Sequence, residues 1–109
     1  MKKQFLSFLT LLFFAFNMAN AQNSLNDCRL KAEFVFKSDS CTVAFTDKST
    51  ADKDSKITKW YWSLGDGSVD STQNPKHTYK RSGRYEVCLS VVGVNAKGKK
   101  CVDKECNTI

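Results

Sequence analysis

The segment RYEVCLSVV, Arg84 to Val92, places Tyr85, Val87, Leu89 and Val91 at every second position. A period of two, carried by aromatic and β-branched residues, puts all four on one face of a pleated strand. Three further runs share the pattern. LKAEFVF sets Leu30, Ala32, Phe34 and Phe36 against Lys31 and Glu33. CTVAF pairs Val43 with Phe45, and TKWYWSL groups Trp60, Trp62 and Leu64. A weaker strand is expected over Lys99 to Ile109, where it pairs with its neighbour to complete a sheet. Between the runs lie SDS, TDKSTADKDSK, GDGSVDSTQNPK, KRSG and NAKG, all turn-forming in composition. Asp47 to Lys56 reads as a solvated loop or a short helical turn. Short strands broken by frequent turns predict an all-β, two-sheet sandwich.

The N-terminus bounds how much chain is left to fold. Lys2 and Lys3 precede an apolar run from Phe5 to about Phe16, and Ala19-Asn20-Ala21 fits a small-x-small cleavage site. This is the layout of a secretory signal peptide over residues 1–21, and the run is shorter than the ~20 residues a membrane span needs. No membrane span is expected once the signal is removed. Residues 22–29 form a short lead, and 30–109 one domain that reads as a complete module. The remaining 88 of 109 residues make a thin core, one that buries only about 60% of the unfolded surface. All five cysteines fall in this part, and export supplies an oxidising setting for disulfides. Removing Lys2 and Lys3 from 17 basic residues leaves 15 against 11 acidic, a formal +4. Such mild charge favours a solvated basic face, with acidic surface glycan as the lesser reading.

Four blocks, in order, resemble the polycystic kidney disease (PKD) domain. They are V-x-F-T-D-x-S (Val43, Phe45, Thr46, Asp47, Ser49) and W-x-L-G-D-G (Trp62, Leu64, Gly65, Asp66, Gly67), then N-P-x-H-T-Y (Asn74, Pro75, His77, Thr78, Tyr79) and G-x-Y-x-V-x-L-x-V (Gly83, Tyr85, Val87, Leu89, Val91). The resemblance runs from about Lys31 to the C-terminus. Leu64 departs from the phenylalanine usual in the family, an exchange that keeps the position apolar. The resemblance implies an immunoglobulin-like sandwich of about seven strands, extracellular and non-catalytic. Its core would hold Phe34, Val43, Phe45, Trp60, Trp62, Leu64, Tyr85, Val87, Leu89 and Val91.

The chemical-looking residues of the turn have structural readings. Gly65 and Gly67 allow backbone angles closed to other residues, and Asp66 between them accepts turn amides. Pro75 biases Asn74 toward an extended shape. His77 is the sole histidine, with no second one to build a zinc or general-base site. By resemblance it packs or hydrogen-bonds near the Gly-Asp-Gly turn, ahead of Tyr79. Asp66 and Asp70 share one turn of a thin domain, not two walls of a glycosidase cleft. Asp47, Asp52, Asp54, Asp66 and Asp70 offer hard oxygens, yet lysines interrupt them and no calcium-loop spacing is present. No cofactor is expected, and calcium is the weak exception. No catalytic residue is assigned.

The cysteines carry more information. If Asn95 to Gly98 forms a hairpin turn, Cys88 lies opposite about position 105. This favours Cys88–Cys106 with one residue of bulge, whereas Cys88–Cys101 needs a turn nearer Val94 and Asn95. The sandwich layout implied by the resemblance brings Cys28 toward Cys101. Cys41 is then the spare thiol, unless it captures Cys106.

Lys59 and Tyr61 are the candidate binding residues, since Tyr61 faces outward if Trp60 and Trp62 face the core. KRSGR and KGKK lie in separate turns and do not form a nucleic-acid groove. The expected function is a secreted, periplasmic or cell-surface module for adhesion, binding a protein or glycan. A carbohydrate-binding module and a small secreted enzyme or inhibitor are the rivals.

Overall fold

In the computed structural model, residues 28–109 are described, so the signal peptide and the lead up to residue 27 lie outside the described residues. Nine strands follow in order: β1 Leu30–Lys31, β2 Phe34–Asp39, β3 Thr42–Asp47, β4 Thr50–Ala51, β5 Ser55–Ser63, β6 Val69–Asp70, β7 Lys76–Thr78, β8 Glu86–Asn95 and β9 Lys100–Thr108. The count exceeds the expected seven because β1, β4 and β6 are two-residue pieces. One sheet runs β2-β3-β7, a second β6-β5-β8-β9, and β1 pairs with β4 beside them. All pairings are antiparallel.

The period-two pattern of β8 is realised in full: Val87, Leu89 and Val91 are 0% exposed. They meet Phe34, Val43 and Phe45 of the facing sheet, with Ala32, Trp62, Leu64 and Tyr79 completing the buried core. Trp62 bridges the layers, its ring 5.1 Å from that of Phe34 and 5.3 Å from that of Phe45. Such aromatic contacts add about 0.5–1.5 kcal/mol each beyond area burial.

Three residues of the alternating faces are less buried than the centre of the core. Phe36 is 42% exposed, because β2 is an edge strand and Phe36 touches buried Phe45 on one side only. Trp60 is half-buried against the core because its indole nitrogen bonds Asp47 at 2.7 Å. Tyr85 is also half-buried, since its hydroxyl bonds back to the Arg81 carbonyl at 2.6 Å. That bond closes a tyrosine corner at the start of β8, a feature of immunoglobulin-like sandwiches.

The expected loop from Asp47 to Lys56 is partly strand. Thr50 and Ala51 pair with Lys31 and Leu30, and β5 begins at Ser55. A bulge between Ile57 and Lys59 then resets the β5–β8 register. Gly93 lies beneath Leu30, where a side chain would have no room: an added Cβ would come within 2.5 Å of the Lys56 carbonyl oxygen.

Candidate functional site

The stretch from Trp60 to Tyr79 connects the two sheets. Gly65 and Gly67 take φ of +88° and +89°, which reverses the chain as it leaves β5. The Leu64 amide bonds the Ser68 carbonyl at 3.0 Å, and Asp66 Oδ1 accepts the Ser68 amide at 3.0 Å. Asp66 Oδ2 meets His77 Nε2 at 2.8 Å. Asp66 belongs to the β5–β6 turn and His77 to β7, so this contact crosses from one sheet to the other. Hydrogen bonding to His77 and the Ser68 amide holds the Asp66 carboxyl down at about 2.

The remaining residues extend the same seam. Buried Tyr79 donates to the Leu64 carbonyl at 2.7 Å, and burial pushes its phenol up to about 12. Its ring stacks on Tyr85 at 4.0 Å and meets the edge of His77 at 4.5 Å. Asn74 Oδ1 accepts the Asp47 amide at 2.8 Å, and the carbonyl of buried Pro75 accepts the Phe45 amide at 2.9 Å. The Asp66–His77 pair looks like an acid–base couple, but the Tyr79 hydroxyl beside it donates to a backbone carbonyl, and the Ser68 side chain is held to Asp66 itself.

Asp47 is the residue whose role the sequence concealed. Its Oδ1 accepts the Ser49 amide at 2.9 Å, and its Oδ2 accepts the Trp60 indole at 2.7 Å and the Gln73 amide group at 3.1 Å. Burial raises its pKa, but the bonds from Ser49, Gln73 and Trp60 outweigh that and leave it lowered. Asp70 accepts the Thr72 hydroxyl and amide, which lower its pKa in turn. These carboxylates serve protein donors. The cluster of three metal-ligating side chains among the described residues lies elsewhere, at Glu86, Cys88 and Cys106, and its two sulfurs are bonded to each other.

Cys88–Cys106 and Cys28–Cys101 are disulfides, and Cys41 is a half-buried free cysteine. Cys88 stands directly opposite Cys106 with no bulge, because the hairpin loop is one residue longer than expected and Val94 pairs with Lys100. Two residues beyond Cys101, Asp103 accepts the Ala32 amide at 2.7 Å, fastening the segment after β1 to β9.

Lys59 and Tyr61 lie on the outer face of the four-stranded sheet. Tyr61 is 48% exposed, opposite Ser90, which lies opposite Lys104. Tyr61, Ser63, Val69, Glu86, Ser90 and Lys104 line a shallow groove of about 670 Å³. Val69, Ser90 and Lys104 escaped sequence reasoning because only the cross-strand register places them beside Tyr61.

Comparison with known proteins agrees with this architecture. The PKD domain family matches residues 35–107. The chain is 36% identical over 58 residues to collagenase ColQ1 of Bacillus cereus, covering 53% of this chain and 6% of the collagenase. It is 33% identical over 75 residues to collagenase ColA of Clostridium perfringens, covering 61% of this chain and 7% of the collagenase. The chain thus spans only a small part of the length of these relatives. The PKD1 domain of Vibrio anguillarum Epp superimposes with a TM-score of 0.59 at 26% identity, covering 73% of this chain and 92% of that domain. The PKD1 domain of the Vibrio cholerae metalloprotease PrtV gives 0.56 at 26% identity, covering 72% and 93%. Among the described residues no helix is long and apolar enough to cross a membrane. The chain belongs to the PKD domain family, whose members are non-catalytic accessory modules found in larger secreted proteins.

Proposed function

We propose that this chain is an extracellular binding module whose working surface is the outer face of the four-stranded sheet around Tyr61. One observation carries the reading. Of the five large apolar side chains exposed among the described residues, Tyr61, Val69 and Val102 share this face. Exposed apolar groups gathered on one face mark interaction surfaces more than scattered ones do. Tyrosine suits such a role, since it offers a rigid apolar ring with a polar tip. The ligand is an extracellular macromolecule, protein or glycan, at the cell surface or in the surrounding matrix. Similar segments occur in collagenases, so collagen belongs among the ligands tested.

A carbohydrate ligand has its own support. The hydroxyls of Ser63 and Ser90 flank Tyr61, placing hydrogen-bonding groups beside an exposed ring. Co-sedimentation with insoluble collagen, with insoluble glycans and with cell-envelope material tests the proposal. Binding to at least one of them is expected, lost on Tyr61→Ala while the melting curve is unchanged. Retention that is indifferent to Tyr61→Ala across the panel overturns this choice of surface.

A further inference from the structure

The strand register lays the outer face of the four-stranded sheet out as a grid. Lys56, Val94 and Lys100 form one row across β5, β8 and β9. Lys59, Val92 and Val102 form the next, then Tyr61, Ser90 and Lys104, then Ser63, Cys88 and Cys106. Directly opposed residues point to the same side, so all four lysines face outward with Tyr61, and all four are exposed. Strands about 4.8 Å apart and rows about 6.8 Å apart make this a flat patch roughly 20 Å long. Lys56 and Lys59 bound it on β5, and Lys100 and Lys104 on β9.

The acidic residues of this sheet lie at the patch's margin or off its face: Asp70 and Glu86 border the groove beside Tyr61 and Lys104, and Asp70 already accepts from Thr72. Asp103 and Glu105 alternate to the opposite side of β9, and Asp103 is engaged by the Ala32 amide. Glu86, opposite Thr108, is on the same face, one row beyond Cys88 and Cys106, and leaves the four lysine rows without a carboxylate of their own. Asp52 and Asp54 belong to the turn before β5. None of the four lysines is in an ion pair with a carboxylate among the described residues. The sequence hides this grouping, because Lys56 and Lys59 are more than forty residues from Lys100 and Lys104. Lysines on open strands also discourage pairing with other chains. That role needs neither a shared face nor an exposed tyrosine between them.

We infer that this face binds an anionic polysaccharide, with the lysine ammonium groups meeting its carboxylate or sulfate groups and Tyr61 carrying the apolar face of a sugar ring. The inference rests on the reading of this face as the working surface and names the chemistry of its ligand. Four unpaired cations on an open, level surface complement a repeating extended polyanion. Each contact is weak and solvent-exposed, and the polymer makes several at once. The serine hydroxyls of Ser63 and Ser90 suit sugar hydroxyls better than a purely electrostatic contact requires.

The test uses the oxidised protein and measures its affinity for polygalacturonate, a sulfated glycosaminoglycan, neutral dextran and poly-glutamate, each over a salt series. Acidic glycans should bind saturably, weaken with salt, and outcompete dextran and poly-glutamate. Replacing Lys56, Lys59, Lys100 and Lys104 together by Gln should weaken binding roughly tenfold or more, as expected for several weak exposed pairs. Tyr61→Ala should weaken it as well. The matched variant with Lys76, Lys80, Arg81 and Arg84 changed to Gln removes the same charge elsewhere and should bind nearly as wild type. Equal loss in both quadruple variants overturns the inference, because net charge alone then explains binding. Poly-glutamate binding as tightly as the glycans overturns it in favour of an acidic polypeptide. Tyr61-dependent binding to collagen or neutral glycan alone overturns it while leaving the proposed surface standing.

Discussion

The indole nitrogen of Trp60 donates to Asp47 Oδ2 at 2.7 Å, joining the second sheet to the end of β3. The same carboxylate takes the Ser49 amide and the Gln73 side chain, so one acidic group fixes a strand end, a turn and a loop. Asp47→Ala leaves all three donors without their partner. A loss of about 1.5–3 kcal/mol is expected in urea unfolding, the range for bonds to a charged group. A double-mutant cycle of Asp47→Asn with Trp60→Phe should return a coupling of about 0.5 kcal/mol or more, because the two groups are in direct contact. A coupling near zero would show the bond to be incidental.

Acid should loosen the seam between the sheets. The Asp66 carboxyl lies at about 2 in the folded protein, below its ordinary 3.8, so protons bind the unfolded chain more readily. Its stabilising contribution is complete above about pH 4 and fades as pH falls toward 2. Asp47 and Asp70 are shifted in the same direction and add to the trend. Thermal midpoints measured from pH 5 down to pH 2 should fall less steeply for Asp66→Asn than for wild type. Parallel curves would remove Asp66 from the account.

Base gives the complementary signal. Tyr79 has its phenol raised to about 12 by burial. Folding therefore favours its neutral form, and stability is expected to drop as pH climbs from about 10 through 12. Absorbance titration at the phenolate band should show one tyrosine ionising late, missing from Tyr79→Phe. That variant also strands the Leu64 carbonyl, at a cost of about 1–3 kcal/mol.

Two glycines with nearly equal backbone angles should respond differently to alanine. At Gly67 a Cβ meets nothing within 4 Å, and only the positive φ opposes it, costing about 1–2 kcal/mol. At Gly65 the Cβ would also approach the Glu86 carbonyl oxygen to 2.7 Å. Gly65→Ala should therefore lower the urea midpoint clearly more than Gly67→Ala. Equal effects would mean the β8 backbone gives way.

The two disulfides span different lengths of chain. Cys88–Cys106 closes a separation of 18 residues and Cys28–Cys101 one of 73. In the chain-entropy description these are worth about 3 and about 4.5 kcal/mol. Replacing both cysteines of the longer loop by serine should cost more than replacing both of the shorter. Native thiol titration should find one reactive group, at Cys41, and peptide mapping without reduction should recover both bridges. A larger loss from the shorter loop would point to enthalpic terms.

Much of the fold is legible because strand alternation survives in the core. Val87, Leu89 and Val91 read correctly since nothing competes for their side chains. Trp60 and Tyr85 read less well because each carries a polar atom that finds a partner at the core's edge, and periodicity cannot see partners. Phe36 misleads for a different reason: alternation gives its side but not where the covering layer stops. Asp47 offers a carboxylate among lysines, and only the folded chain brings Trp60, Ser49 and Gln73 to it. The basic face is hidden more deeply, since it depends on the hairpin register between β8 and β9 and on the bulge in β5.

The attachment of Cys28 to Cys101 sets how the molecule carries a mechanical load. Tension applied ahead of Cys28 and beyond Ile109 passes through the sulfurs to Cys101 and then runs straight along β9. Both layers of the sandwich hang from that line and bear little of the pull. We expect single-molecule stretching of the oxidised protein to show almost no gain in length, and reduction to release the extension of the whole domain. A long unfolding step with both bridges intact would refute this load path. With the bridges closed, the domain behaves under tension as a short, stiff link.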